Sequence, residues 1–166
     1  MWESIPCTGG CYFNTHINSR DPKQAGHQAE LAKTFRALWR AFTPIADTVM
    51  RNGGTIVIEW PAGNAYWQDP KVLKWLKKKK MYASTFDGCT FGLHPNSSDD
   101  PTHFIKKPWK FLSNDKQMLR GFNTRCGGQN DEHVHIECRG LDAKATENYN
   151  DNIANHIHKN FSRLLR

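Results

Sequence analysis

Two hydrophobic periods alternate along the chain. From His27 to Arg51, Leu31, Phe35, Leu38, Phe42, Ile45 and Val49 recur at alternating steps of four and three. That spacing gathers side chains on one face of an α-helix. Ala29, Trp39 and Ala46 widen the stripe. Pro44 lacks an amide hydrogen, so the pattern predicts a kink there, or a division with Thr43 as the new N-cap. Asn52-Gly53 is the C-terminal stop. Thr55-Ile56-Val57-Ile58 follows, with three β-branched aliphatics, and reads as a strand buried on both faces. It is expected to end at Glu59, because Pro61 cannot continue in a sheet interior. A carboxylate then stands at the C-terminal end of a central parallel strand, the edge where open α/β sheets bind ligands.

The remaining elements are shorter. Trp2 to Ile5 reads as the end of a strand and Pro6 to Gly10 as the turn after it, which puts Cys7 at what is expected to be the same edge. Tyr12 to Gly26 is polar and reads as a long surface loop. Asp69-Pro70 predicts a helix start, with Asp69 as N-cap and Pro70 at the first helical position. Val72, Leu73, Trp75 and Leu76 form its apolar face, and Lys77 to Lys80 lie at its end, where the helix dipole favours cations. Met81 to Phe86 is a strand closed by Asp87-Gly88, followed by a Gly-bounded turn at Gly88 to Leu93. His94 to His103 is a polar loop. Phe104 to Leu112 alternates, with Ile105, Trp109 and Phe111 inward and Lys106 and Lys110 outward, and Pro108 marks an edge or bulge. Met118 to Phe122 is a helical turn. Lys144 to Leu165 is the last helix, capped by Thr146, with Tyr149, Ile153, Ile157, Phe161 and Leu164 on one face. The sum is one α/β domain over 1–166, with a partial Rossmann-like parallel sheet and flanking helices.

Charge adds a partner class. The formal net charge is +7. Its positive residues cluster at Lys71, Lys74 and Lys77 to Lys80 and again at Lys106, Lys107 and Lys110, interleaved with Trp75, Trp109 and Phe111. Clustered cations among aromatics fit a polyanion footprint, and the expected partner is nucleic acid, DNA first. The competing account of Lys77 to Lys80 is a solvated, dipole-matched helix end. At 166 residues with 38% hydrophobic content, the chain is long enough to bury a core without staples. No apolar run is long enough to span a membrane, and the N-terminus has no secretory pattern. Five cysteines without framework spacing indicate a reducing compartment, cytoplasmic or nuclear, with free thiols or metal ligands.

One segment carries ligand chemistry. Cys126, His133, His135 and Cys138 fall within thirteen residues at the spacing C-x6-H-x-H-x2-C. Zinc takes four tetrahedral nitrogen and sulfur ligands from compact loops. If His133 to His135 is extended, both imidazoles point the same way, and Gly127-Gly128 lets the loop turn back. Four protein ligands leave no open position, so the expected role is structural. The alternative is two surface histidines and two unrelated thiols.

With Cys7, Glu59 and the Lys106 strand placed, the chain resembles the catalytic half of DNA cytosine methyltransferases acting at ring carbon 5, of the class I methyltransferase type. The resemblance rests on Pro6-Cys7 after a strand, on Glu59-Trp60-Pro61 ending one, and on Phe91-Gly92-Leu93 leading into Ile105-Lys106-Lys107-Pro108-Trp109-Lys110. Asn148-Tyr149-Asn150 before an amphipathic helix is similar to the family's last motif. The chain is also similar, over most of its length, to domains of mobile-element-rich protist genomes that carry no function over. The cytosine methyltransferase resemblance implies Cys7 as nucleophile toward carbon 6 of a flipped cytosine and Glu59 as its acid partner. It implies Lys106, Lys107 and Lys110 as nucleic-acid contacts and S-adenosylmethionine as methyl donor; the charge clustering adds Lys77 and Lys78 as contacts. Two departures stand out. The family's glycine-rich cofactor loop belongs before Pro6, where five residues precede, so the cofactor is expected only with a complementary methyltransferase half. The family's arginines are lysines here, and lysine lacks the planar bidentate fork. The alternatives are a non-catalytic zinc-stabilised nucleic-acid-binding module and a basic structural subunit of a larger complex.

Overall fold

The long amphipathic pattern forms α1, Ala25–Arg51, as one helix in the computed structural model, which describes residues 1–165. Pro44 lies inside α1 and neither ends nor divides it. Pro44 is on the exposed face, and Thr43 Oγ1 lies 3.5 Å from the Arg40 carbonyl that the proline leaves without its amide. The buried seam also differs from the expected one. Phe35, Trp39, Phe42 and Ala46 are buried, while Leu38 and Ile45 are 38% and 56% exposed. Both sets fit a helical period, and the seam turns toward the large ring of Trp39, which gains most from leaving water.

The sheet has strand order β1-β2-β5-β3, with β1 at Trp2–Glu3, β2 at Val57–Pro61, β3 at Tyr82–Asp87 and β5 at Pro108–Ser113. β1 and β2 are parallel, with Trp2 opposite Val57 and Glu3 opposite Ile58. A second, two-stranded sheet pairs β4, His103–Phe104, with β6, Val134–His135, also in parallel. The architecture is thus mixed α/β. β2 runs on through Glu59 and Trp60 to Pro61 rather than stopping at Glu59. Its β1 partner ends at Glu3, opposite Ile58, so Pro61 has no amide to supply on that side. At the start of β2, Asn114 extends the ladder: its Oδ1 accepts from Ile56 N at 2.8 Å and its Nδ2 donates to Gly54 O at 3.1 Å.

The chain divides into two compact units. The first is Met1–Ala83 with Lys110–Lys116; the second is Ser84–Trp109 with the chain from Gln117 onward. The core of the first unit sets the α1 seam against Ile56, Ile58 and Trp60, with Tyr66, Trp67, Val72 and Leu112 closing it. The expected loop from Tyr12 to Gly26 is a chain of short helical turns, at Phe13–Ile17, Asn18–Arg20 and Pro22–Gln24. Buried Asn14 ties them: its Nδ2 donates to Thr8 O at 2.7 Å, and its Oδ1 accepts from Asn18 at 2.8 Å and Gln28 at 2.9 Å. α2, Pro70–Lys79, starts as the sequence reads, with Asp69 Oδ1 accepting from Lys71 N at 2.8 Å.

The second unit ends in two helices where one was expected: α3, Gly140–Ala145, and α4, Asp151–Leu164. Asn150, not Thr146, caps α4, its Oδ1 accepting from Ile153 N at 3.0 Å. α4 buries Ile153 and Asn160 and leaves Phe161 49% exposed. Asn160 is admitted because its Nδ2 donates to the carbonyls of Met118 and Arg120, at 3.2 and 2.8 Å. Among the described residues, no helix is long and apolar enough to cross a membrane.

Candidate metal centre

In the second unit, four soft or borderline ligands converge: Cys89, Cys126, His133 and His135, with one ligand atom of each within 4.8 Å of the others. They arrive on three local devices. Cys89 sits in the short turn Gly88–Phe91 that follows β3. Gly88 is required there, since a Cβ would meet Leu93 and Trp109 side chains at 2.8 Å. Its amide donates to Lys106 O at 2.7 Å, which fixes where the turn leaves the strand. Cys126 is held by its backbone: its amide donates to Asp87 Oδ2 at 2.9 Å. Asp87 is 1% exposed and lies 3.3 Å from Arg125 Nη2.

The two histidines come from the β4–β6 ladder. Phe104 pairs with His135, and the amides of Val134 and Ile136 donate to Thr102 O and Phe104 O, each at 2.8 Å. Before β6 the chain reverses through paired bonds between Asn130 and His133, both 3.1 Å. The Phe104 ring stacks on the His133 imidazole, with centroids 4.3 Å apart and 14° between planes. Gly128 takes φ +122, and its amide donates to Cys126 Sγ at 3.4 Å.

The Cys126 sulfur stands at a metal site's spacing from both imidazoles, which lie somewhat closer to each other. Cys126 Sγ is 3.5 Å from His133 Nε2 and 3.4 Å from His135 Nε2, and the two Nε2 atoms are 3.0 Å apart. Metal bonds of about 2.0–2.3 Å in a tetrahedron put ligand atoms roughly 3.3–3.8 Å from one another. Burial above all pushes the Cys89 thiol up to about 12, and contact with Cys126 and the nearby Asp87 charge act in the same direction. A cation at the cluster reverses that balance and displaces the proton. Burial, with the neighbouring charges of His133 and Lys106, lowers the His135 pKa, which keeps its imidazole in the neutral form that ligates metal. The group can therefore hold a metal ion, with four protein ligands.

Three of these residues are those expected from sequence; the fourth is not. Cys138 lies outside the cluster, its Sγ 3.3 Å from Thr146 Oγ1. Cys89 takes the fourth position. The sequence signal for it was slight: a cysteine in a tight Gly-bounded turn, Gly88-Cys89-Thr90-Phe91-Gly92, far from the other three.

The other expected site residues are placed as follows. Glu59 is inside β2 and 7% exposed, and its Oε2 accepts from Ser4 Oγ at 2.8 Å. Cys7 precedes the turn at Thr8–Gly10 and packs against the core of the first unit. Lys77 and Lys78 are exposed in the last turn of α2, and Lys106 is exposed. Lys107 Nζ donates to the Thr146 carbonyl and lies 4.8 Å from the Trp109 ring centroid. Lys110 lies over Trp67 at 4.8 Å, where burial lowers its pKa. The ammonium groups of Lys107 and Lys110 are thus engaged within the fold, while Lys77, Lys78 and Lys106 face outward. No family model, curated protein or solved structure matches this chain.

Proposed function

We propose that the chain is a zinc-stabilised nucleic-acid-binding module. The observation that carries this reading is the Cys89/Cys126/His133/His135 group. Two thiols and two imidazoles gathered within 4.8 Å suit zinc, and a full set of protein ligands suits a structural rather than a catalytic ion. The net charge of +7 and the outward-facing lysines supply the attraction for a polyanion. Binding of metal-loaded protein to labelled oligonucleotides, followed across a salt series, tests it. The affinity should fall linearly on a log–log plot, as counterions leave each contacted phosphate. An affinity indifferent to salt, or no binding at low salt, would rule the reading out.

A second reading has one observation in its favour. β1 and β2 are parallel, so Cys7 and Glu59 both follow the paired residues toward the same strand ends. That arrangement suits the methyltransferase-like chemistry that the resemblance implies, whereas the burial of Glu59 and its bond from Ser4 weigh against it. The test is a cytosine analogue activated at carbon 6, presented in single-stranded DNA. The Cys7 thiolate adds to carbon 6 and carbon 5 takes a proton, giving a covalent adduct visible by mass. Cys7→Ser should abolish it, and Glu59→Gln should slow it by about 100- to 10,000-fold, the usual worth of a general acid. Intact mass spectra without any adduct would remove this second reading.

A further inference from the structure

A cleft of about 310 Å³ lies between α1 and α2, within the first unit. Five cations line it: Arg36 and Arg40 from α1, and Lys71, Lys74 and Lys78 from α2. Their spacings, four on one helix and three then four on the other, put each set on a single helix face. None of the five is in an ion pair among the described residues. Like charges at such spacing repel. Lys71 is also in the first turn of α2, where the helix dipole disfavours a cation, and the one acid there, the N-cap Asp69, is engaged with backbone amides. Of the five, only Lys78, in the last turn of α2, is placed where a helix dipole favours a cation.

The cleft is also aromatic. Trp39 is buried in its floor, and Trp75 is half-buried at its wall, the rings 5.7 Å apart and 84° to one another. Asp47, the carboxylate beside it, has partners of its own. Its Oδ1 accepts from Trp75 Nε1 at 3.0 Å and pairs with Lys79 Nζ at 2.9 Å. The acid is thus used to fix the indole plane. A rigid indole beside a row of cations is the recurrent arrangement for single strands, in which phosphates meet lysine and arginine while an unstacked base lies on an aromatic face. The volume is at the low end of the roughly 300–1,000 Å³ of small-ligand sites, room for about one nucleotide.

We propose that the α1–α2 cleft is a binding site for single-stranded nucleic acid, lodging one base beside Trp75 with its flanking phosphates on Arg36, Arg40, Lys71, Lys74 and Lys78. This rests on the nucleic-acid reading above and specifies its site and strandedness. The test measures fluorescence anisotropy of full-length protein with labelled oligodeoxythymidine, oligouridine and a duplex of equal length. The variant combines Lys71→Ala, Lys74→Ala and Lys78→Ala, three exposed positions whose loss should leave the melting temperature unchanged or raised. Single strands should bind more tightly than the duplex and quench tryptophan emission. The variant should bind single strands roughly tenfold or more weakly, with a salt slope shallower by about 2, since each single-strand phosphate contact contributes roughly 0.7. Oligodeoxythymidine and oligouridine binding alike places recognition on phosphate and base, as proposed; dependence on the 2′-hydroxyl for all binding overturns it. Single strands binding the variant as well as the parent would overturn the cleft and leave the broader reading standing. Preference for the duplex would overturn it likewise, and failure of every oligonucleotide would overturn both.

Discussion

Cys89→Ser is expected to abolish tight metal binding and to unfold the second unit, whereas Cys138→Ser should leave about one metal ion per chain bound. Cys89 offers its sulfur to the group formed with Cys126, His133 and His135, while Cys138 faces Thr146. Losing an outer-shell partner typically weakens metal affinity by about 10–100-fold, so losing a thiolate ligand should exceed that range. Structural zinc contributes about 10–16 kcal/mol of binding in small zinc domains, and there metal binding and folding are one equilibrium. A chelator should therefore act on wild-type protein as Cys89→Ser does. The reading is metal content by mass spectrometry, with thermal melting in the presence and absence of chelator. Equal metal content in both serine variants, or loss only in Cys138→Ser, would show that the ligand set is wrong. Because Cys89 is buried and its thiol is held protonated without a cation, metal uptake should also release protons, which a weakly buffered solution reports directly.

Trp60→Ala should be the most damaging single change in the first unit. Trp60 is 1% exposed, its ring centroid lies 4.6 Å from that of Trp67 and 5.8 Å from that of Tyr66, and its Nε1 donates to Ile5 O at 2.7 Å. Truncation removes the packing of a large ring and leaves a buried carbonyl without its donor. The first effect costs about 3–5 kcal/mol and the second about 1–3 kcal/mol. Against a typical total of roughly 5–15 kcal/mol, that leaves a marginal fold. Ile45→Ala, at a position 56% exposed, should cost no more than about 0.5 kcal/mol. Urea unfolding followed by far-ultraviolet circular dichroism measures both. A cost at Ile45 comparable to that at Trp60 would contradict the exposure of that face of α1.

The contrast between those two residues shows where the sequence was legible. Periodicity located α1 almost to its ends, since a helix face is a local property of spacing. It could not choose between the Leu38/Ile45 side and the Trp39/Ala46 side, because that depends on which side chains the sheet offers in return. Asp69 as cap and Pro70 at the first turn of α2 were readable for the same local reason. Where the last helix begins was not, because Thr146 and Asn150 are both acceptable caps by type, and the bond from Asn150 Nδ2 to Phe91 O at 2.9 Å ties the latter into place.

By itself, then, the amino-acid order determined what depends on neighbours along the chain: the α1 and α2 helices, the buried β2 run, the basic segments, and three of the four clustered ligands. His133 and His135 are two residues apart on an extended stretch, and a Gly-Gly turn brings Cys126 back to them. Tertiary structure alone decided the fourth. Cys89 reaches the group through the close approach of Gly88 to the Lys106 and Lys107 carbonyls and through the pairing of β4 with β6. Neither contact leaves a periodicity in sequence, because each joins segments whose separation is set by packing. The same holds for the α1–α2 cleft: each helix shows a charged face on its own, but only their packing turns two solvated faces into one cationic site.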